Sequence, residues 1–329
     1  MSLSFNRYNY NYPRMASKKH KPKLGIALGS GAARGWAHIG ILKSLIERGI
    51  EPDIICGTSI GAFVGAAYVT GKLDVLHDWI CKISRRDIIR YMDVQLFGGG
   101  FITGVSQKKQ LKERFGDANI EDLDKTFAAV ATNLKTGMET WFQQGSLLDA
   151  VHASLALPGL FSPVHNQEQW LVDGGLVNPV PVSVCRALGA EVVIAVNLNS
   201  DIVGKHLREK KAPEPNAKKN SIEDLKIMGF IEQLTNNLLR DEESFISRLW
   251  TKQPETPGVF DVLLSSINIM QDRITRSRLA GDPPDLVLSP RLSQLGLMDF
   301  DCAEEAVNEG KACVERMTSQ LDFLLNPDA

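Results

Sequence analysis

The sequence predicts an α/β fold with a central, mostly parallel sheet and helices on both faces. Three observations predict it. The first seventy residues follow the order strand, glycine-rich turn, helix, strand, tight turn and helix, which is typical of parallel sheets. A largely apolar run at 191–198 has the composition of a strand inside such a sheet. The chain of 329 residues is long enough to bury a large core.

The composition is that of an ordinary globular protein, and it excludes several classes of function. A net charge of -2 gives no reason to expect nucleic acid as a partner. No run of 18 or more apolar residues is present, so no transmembrane helix is expected. The five cysteines are scattered and lack Cys-x-x-Cys spacing, which argues against a disulfide framework or a zinc site. We therefore expect a cytoplasmic protein without a bound metal.

Residues 1–22 form a polar, aromatic and basic segment without the apolar centre of a secretory signal. We expect a disordered tail. Its basic residues also suit an electrostatic contact with anionic lipid, so peripheral membrane association is an alternative role for this segment.

The first predicted strand, at 24–28, runs into a glycine cluster at 29–35 that opens a helix ending at Gly49. Such a turn offers free backbone N–H groups at a helix N-terminus. Dinucleotide binding would need an acidic residue at the end of the second strand, whereas Asp53 lies at its start. An oxyanion hole fits better. Arg34 would then support the loop or neutralise charge, or else form only a surface or loop-bracing ion pair.

The second turn has the sequence Gly57-Thr58-Ser59-Ile60-Gly61 between an apolar strand and a helix of small residues. Glycines on both sides allow the cramped backbone that lifts a serine hydroxyl above the end of a sheet. The pattern predicts a nucleophilic serine, although an ordinary tight turn has the same local sequence. Ser59 is the candidate.

A nucleophilic serine needs a base, and the histidines are poor candidates. Only His165 and His206 follow the serine at a suitable distance, and neither ends a convincing strand. Asp173 ends a short apolar strand and precedes Gly174 and Gly175, which leave room around its carboxylate. Asp173 is therefore the preferred base, with a structural aspartate in a turn as the alternative.

The remaining elements complete the α/β pattern, and a change of composition after 199 divides the chain. Four segments follow from it: a tail at 1–22, a catalytic core at 23–199, a cap segment at 200–280 and a completing strand and helix at 281–329. Two apolar stripes in the cap segment, at 222–234 and 260–270, would pack on the main domain, cover an apolar pocket or meet lipid. The other predicted elements are helices at 73–83, 106–115, 147–155, 180–188 and 303–324, a glycine-rich loop at 97–101, a half-buried strand at 127–133 paired with 138–142, and strands at 170–172 and 285–288.

Four motifs in this order resemble those of the patatin-like phospholipases, and particularly the bacterial members of the neuropathy-target-esterase (NTE) branch. They are the glycine cluster at 29–35, the serine turn at 57–61, the Ser-Leu-Ala-Leu-Pro-Gly stretch at 154–159 and Asp-Gly-Gly at 173–175. The resemblance covers 23–199 strongly. Ser30 departs from the glycine that the family often has there, a change that a loop working through backbone N–H groups should tolerate.

The resemblance implies a three-layer patatin-like fold with a helical C-terminal extension. It implies a Ser–Asp hydrolase that acts on acyl lipids or esters without a metal or organic cofactor. A non-catalytic, acyl-lipid-binding regulatory protein is the alternative, and the oligomeric state is not indicated. The implied site comprises the nucleophile Ser59, the base Asp173, an oxyanion hole at Gly29, Ser30, Gly31 and Ala32, and supporting residues Arg34, Gly57, Gly61, Gly174 and Gly175.

Overall fold

The computed structural model describes residues 21–82, 112, 116–158, 160–201 and 259–325. Its strands are β1 Leu24–Leu28, β2 Ile54–Thr58, β3 Thr126–Asn133, β4 Glu139–Phe142, β5 Val164–Asn166, β6 Gln169–Asp173, β7 Val192–Val196 and β8 Leu286–Leu288. Its α-helices are α1 Ala37–Glu47, α2 Ile60–Val69, α3 Leu73–Ile80, α4 Leu147–Ser154, α5 Val182–Ala187, α6 Val259–Gly281, α7 Ala303–Arg316 and α8 Thr318–Leu325. The N-terminal tail, the loop at 97–101, most of the helix at 106–115, His206 and the stripe at 222–234 lie outside the described residues.

The strands form one mixed sheet in the order β5-β6-β3-β2-β1-β7-β8, with β4 also paired to β3. Strands β3, β2, β1, β7 and β8 are parallel. In the central strand β1, Ile26 and Leu28 pack in the core formed with α1, α2 and α7, whereas Ala27 packs on the opposite face with α5. Helices therefore cover both faces, and the predicted three-layer α/β fold is confirmed.

Strand β3 is more deeply buried than its pattern suggests. We expected a half-buried strand, but its residues from Phe127 to Thr132 are all buried. Phe127 and Ala129 belong to the core on one face, and Ala128 and Val130 to the core on the other. The prediction was wrong because β3 lies inside the sheet, where both faces are covered.

Strand β5 is an element that the sequence pattern did not reveal. It forms a hairpin with β6 through the turn at Gln167 and Glu168, where φ is 44° and 64°. Two positive φ values are typical of the tightest hairpin turns, which favour Asn-Gly or Asp-Gly. The Gln-Glu pair lacks that signature, so His165 was not assigned to a strand.

The pairing along β3 brings the ends of β2 and β6 together. Strand β4 overlaps both of them in its register on β3, so β2 and β6 share the other side of that strand. The parallel strand β2 ends with Thr58 opposite Val130, and the antiparallel strand β6 ends with Asp173 opposite Ala131. The two strands thus meet end to end, and the residue that follows β2 faces the last residue of β6.

The C-terminal region belongs to the same sheet and core. Strand β8 pairs with β7 in parallel. The N–H of Ala33 donates to the carbonyl of Leu297, and the Trp36 indole donates to the carbonyl of Phe300. The segment that joins β1 to α1 is therefore held by residues of the C-terminal region.

Candidate active site

Ser59 lies on a strained turn between β2 and α2. Its φ of 58° and ψ of -125° are unusual for a residue with a side chain and cost on the order of 1–3 kcal/mol. The surrounding structure maintains this conformation. The Ser59 N–H donates to Ser154 Oγ at 2.8 Å, and Ser154 Oγ donates to the carbonyl of Val130 at 2.6 Å. The turn holds the Ser59 hydroxyl at the carboxyl end of the sheet.

Asp173 accepts the hydrogen bond of that hydroxyl. Ser59 Oγ donates to Asp173 Oδ2 at 2.5 Å, and the Gly175 N–H donates to Asp173 Oδ1 at 2.7 Å. The Asp173 backbone is fixed as well, since its N–H donates to Ala156 and its carbonyl accepts from Thr132 Oγ1. Asp173 is 1% exposed and Ser59 is 8% exposed. The pair is oriented by the fold and largely shielded from water.

Burial raises the pKa of Asp173 to about 6. Hydrogen bonds from Ser59 and Gly175 favour the ionised form and oppose this effect, but the removal of water outweighs them. A carboxyl group with a pKa near neutrality is suited to accept and return a proton.

The histidines that the structure describes have other roles or positions. His165 is exposed on β5, where its ring contacts Trp170 at a centroid distance of 4.8 Å. His38 is buried, and burial lowers its pKa to about 4, so the ring is neutral at physiological pH. Its Nε2 lies 2.8 Å from the carbonyl of Gly29 and must donate, because a carbonyl only accepts. His38 thus holds the start of the glycine cluster at 29–35, called the glycine-rich loop from here on.

Within that loop, the structure separates two kinds of backbone N–H group. The N–H of Gly29 donates to Val196 at 3.1 Å, and the N–H of Ser30 donates to Pro179 at 2.8 Å. These two groups are engaged, so the expectation of free N–H donors at Gly29 and Ser30 was wrong. Among the described residues, the N–H groups of Gly31 and Ala32 have no hydrogen-bond partner.

Arg34 supports the same loop from inside the protein. It is buried, which contradicts the surface ion pair that the sequence left open. Its Nε donates to the carbonyl of Gly31 at 3.3 Å, and a terminal nitrogen donates to Asn268 Oδ1 at 2.9 Å. Burial lowers the pKa of Arg34 to about 10, so the guanidinium remains charged at neutral pH.

Three of the predicted supporting glycines are sites of close backbone packing. A Cβ would lie 2.4 Å from the Cα of Ala62 at Gly57, 2.1 Å from the Leu28 carbonyl oxygen at Gly61, and 2.2 Å from the Val130 carbonyl oxygen at Gly174. Each distance is far below van der Waals contact. These glycines let the serine turn at 57–61 and the turn at 173–175, called the aspartate turn, approach the sheet.

Helix α6 has an arrangement that the sequence did not suggest. The apolar stripe at 260–270 was expected to pack on the main domain, cover an apolar pocket or meet lipid. Within it, Ile267 packs beside Leu157 and Leu160, and Leu263 and Met270 are about half exposed to solvent. Among the side chains described in this helix, the buried ones are all polar, and they are Asn268, Gln271, Asp272 and Thr275. Polar residues three or four positions apart on this helix were the available signal.

Sequence reasoning also missed the role of Ser154. Its motif entered only through the family resemblance, and nothing in the residue itself indicated a bond to the Ser59 backbone. In the described part of the chain, no cluster of three or more His, Cys, Asp or Glu residues could hold a metal ion. Among the same residues, no helix has both the length and the apolar content needed to cross a membrane.

The chain is a three-layer α/β protein with a serine on a strained strand-to-helix turn. It belongs to the patatin-like phospholipase family, whose model matches residues 26–186. An uncharacterized NTE family protein of Mycobacterium tuberculosis is 30% identical over 327 aligned residues, which cover 88% of this chain and 90% of the relative. The family membership predicted from the motifs is therefore confirmed.

More distant similarities cover smaller parts of larger proteins. The lysophospholipase nte1 of Emericella nidulans is 33% identical over 194 residues, or 58% of this chain and 13% of the fungal protein. The crystal structure of VipD from Legionella pneumophila aligns with 93% of this chain and 67% of its own at 14% identity. The TM-score of this alignment is 0.43.

Proposed function

We propose that this protein hydrolyses acyl esters of lipids, with Ser59 as the nucleophile and Asp173 as the general base. Its family and its similarity to lysophospholipases support the general activity. The observation that carries the specific proposal is the 2.5 Å hydrogen bond from Ser59 Oγ to Asp173 Oδ2 in a buried site. A serine and a base within hydrogen-bond reach are the minimum for nucleophilic catalysis.

The first half of the reaction transfers the acyl group to the protein. As Ser59 Oγ attacks the ester carbonyl carbon, its proton passes to Asp173 Oδ2. The carbonyl oxygen becomes an oxyanion. When this tetrahedral species collapses, the ester C–O bond breaks, and the leaving alcohol takes the proton from Asp173. An acyl-enzyme on Ser59 remains.

The second half releases the fatty acid by the same steps with water as the nucleophile. Asp173 removes a proton from a water molecule as it attacks the acyl carbon. The new tetrahedral species expels Ser59 Oγ, which recovers its proton from Asp173. No metal or organic cofactor enters this sequence of steps.

The oxyanion hole is assigned to the N–H groups of Gly31 and Ala32. Both lack a partner among the described residues and lie in the loop where the 3₁₀ helix Ala32–Trp36 begins. Ala32 has a φ of 49°, a conformation that an alanine seldom adopts without support from its surroundings. A preorganised backbone donor of this kind contributes on the order of 10²–10³-fold in rate.

Fluorophosphonate labelling tests the proposal directly, because the reagent reacts with activated serines. We expect the wild type to be labelled and Ser59→Ala to remain unlabelled. Hydrolysis of lysophosphatidylcholine, phosphatidylcholine and a soluble short-chain ester would then define the substrate class. A folded wild type that does not label, hydrolyses none of these esters and binds acyl lipid saturably would contradict the enzyme and favour a binding protein.

The reaction should depend on pH through Asp173. The ionised carboxylate is the active form, and burial raises its pKa to about 6. We therefore expect kcat/KM for a soluble ester to fall about tenfold per pH unit below pH 6 and to level off above about pH 7. Steady-state rates from pH 4.5 to 8.5 check this. A rise centred near pH 4 would contradict a buried base.

We also propose that the protein contacts the lipid surface through an apolar rim formed by Leu134, Met138 and Trp170. Their exposed fractions are 54%, 68% and 52%. Leu134 donates its N–H to the Trp170 carbonyl, so the β3–β4 turn and the β5–β6 hairpin adjoin. Leu134 lies four residues beyond Val130, which pairs with the end of β2. The rim thus extends beyond the carboxyl end of the sheet, where Ser59 lies.

A membrane-binding comparison tests the apolar rim. Met138→Glu/Trp170→Glu should reduce co-sedimentation with phosphatidylcholine vesicles at least about fivefold, because a charged side chain resists entry into the interface. Hydrolysis of a soluble ester should be unchanged. Phe323→Glu is the matched control, since Phe323 is exposed on α8, which packs beside β8 at the opposite edge of the sheet. Equal losses in both variants would argue against a specific rim.

A further inference from the structure

The glycine-rich loop is held by the polar side of helix α6. Asn268 and Gln271 are three positions apart and therefore lie on one side of the helix, and both are buried. Gln271 contacts the loop at Ser30, and Asn268 contacts Arg34, which in turn binds the carbonyl of Gly31. The two contacts lie close to the N–H groups that form the proposed oxyanion hole.

The side-chain oxygen of Gln271 has two donors. Ser30 Oγ donates to Gln271 Oε1 at 3.1 Å, and Asn199 Nδ2 donates to the same oxygen at 3.3 Å. Two donors on one oxygen define which way the amide group points. The Gln271 nitrogen is consequently turned toward the aspartate turn.

Gly175 shows how closely these groups approach one another. A Cβ at this position would lie 2.5 Å from Gln271 Nε2, 2.9 Å from Asp173 Oδ1 and 3.2 Å from Ser30 Oγ. Helix α6, the base and the glycine-rich loop therefore surround a single point. Only glycine leaves room there for all three.

We propose that Gln271 is a positioning residue that holds the oxyanion loop in register with Ser59 through the hydroxyl of Ser30. The inference rests on the proposed hydrolase function and assigns a part of it to the C-terminal helix. It also gives a reason for Ser30, since a glycine at that position would have no hydroxyl to donate to Gln271. Gln271 acts through the loop and needs no contact with the substrate.

The proposal predicts a specific kinetic effect. The oxyanion exists only in the transition state and the tetrahedral intermediate, so a misplaced loop should lower kcat and leave KM unchanged. The net contribution of one hydrogen bond corresponds to about two- to tenfold in rate. We expect losses of about this size, up to tenfold, in Ser30→Ala and in Gln271→Met, which keeps the side-chain volume.

A double-mutant cycle separates this role from simple packing. If both residues act through one hydrogen bond, Ser30→Ala/Gln271→Met should be no slower than the slower single variant. Arg273→Met is the matched control, because Arg273 is exposed on the same helix and should retain the wild-type kcat. Fluorophosphonate labelling rates, measured alongside kcat and KM of a soluble ester, should show the same pattern.

The outcomes that overturn the inference are distinct from those that overturn the function. A reactive wild type with unchanged kcat in both single variants would overturn the inference alone. So would losses that multiply in the double variant, or a change confined to KM. A wild type that neither labels nor hydrolyses esters would overturn the proposed function together with the inference. Should Gln271→Met fail to fold, the smaller change Ser30→Ala still decides through its kcat and KM.

Discussion

Asp173→Asn is expected to lower kcat by on the order of 10⁴-fold while the protein stays folded. Asparagine keeps the shape of the side chain and can accept the Ser59 hydrogen bond, but it cannot take the proton from Ser59 Oγ. Loss of a well-placed general base typically costs 10²–10⁴-fold, and in the proposed mechanism one residue acts as the base in both halves of the reaction. Single-turnover and steady-state rates on a soluble ester would measure the loss.

The same substitution is expected to stabilise the protein at alkaline pH. Burial raises the pKa of Asp173 from its usual 3.8 to about 6. The folded state thus binds the proton more tightly than the unfolded state. The resulting stabilisation is fully present below pH 3.8 and is lost as the pH rises through about 6. The ionised carboxylate then costs on the order of 3 kcal/mol, a cost that asparagine avoids. Thermal unfolding should give Asp173→Asn the higher Tm at pH 8 and a smaller gain at pH 5.

Asp53→Asn provides the control for both measurements. Asp53 accepts the Leu24 N–H at the amino ends of the strands, away from Ser59, so its variant should keep the wild-type kcat. Asp173→Asn activity within tenfold of the wild type would mean that another group is the base. A lower Tm at pH 8 would mean that the hydrogen bonds of the carboxylate outweigh the cost of burying its charge.

Gly61→Ala is expected to cause a large loss of stability. The added Cβ would lie 2.1 Å from the carbonyl oxygen of Leu28, which belongs to buried backbone and cannot move aside like a flexible side chain. Forcing an extra methyl into a packed core costs about 1–3 kcal/mol and sometimes more. Contact with backbone points to the upper end of that range, or about 4–5 °C in Tm for a chain of 329 residues.

The Gly61 substitution should also abolish labelling of Ser59, because a displaced helix α2 would move the serine turn. Gly281→Ala is the matched control. Nothing lies within 4 Å of a Cβ at Gly281, the last residue of α6, so its Tm should stay within about 2 °C of the wild type. A Gly61→Ala protein with wild-type Tm would mean that β1 and α2 can separate without cost.

Much of the site could be predicted because its parts carry local signatures. Ser59 lies between two glycines after an apolar strand, and Asp173 ends a strand before two more, so each was found from a few neighbouring residues. Their contact could not be found in this way. It depends on the register by which β2 and β6 meet along β3, which no short stretch of sequence contains.

The features that sequence reasoning missed depend on distant partners. The amides of Gly29 and Ser30 are engaged by Val196 and Pro179, which the loop sequence cannot indicate. The buried residues of α6 are polar because they meet Ser30 and Arg34, which the apolar stripe on the same helix could not indicate. Hydrophobic pattern identifies a helix more reliably than it identifies what the helix packs against.

The bonds between the start and the end of the chain have a consequence for biosynthesis. Ser59 and Asp173 are both translated well before Gln271, Leu297 and Phe300, which hold the loop near residue 30. A nascent polypeptide emerging from the ribosome therefore carries the proposed nucleophile before the loop near residue 30 can be held in place. Under the proposed function, full ester-cleaving activity would be reached only after residues 271–300 have been synthesised.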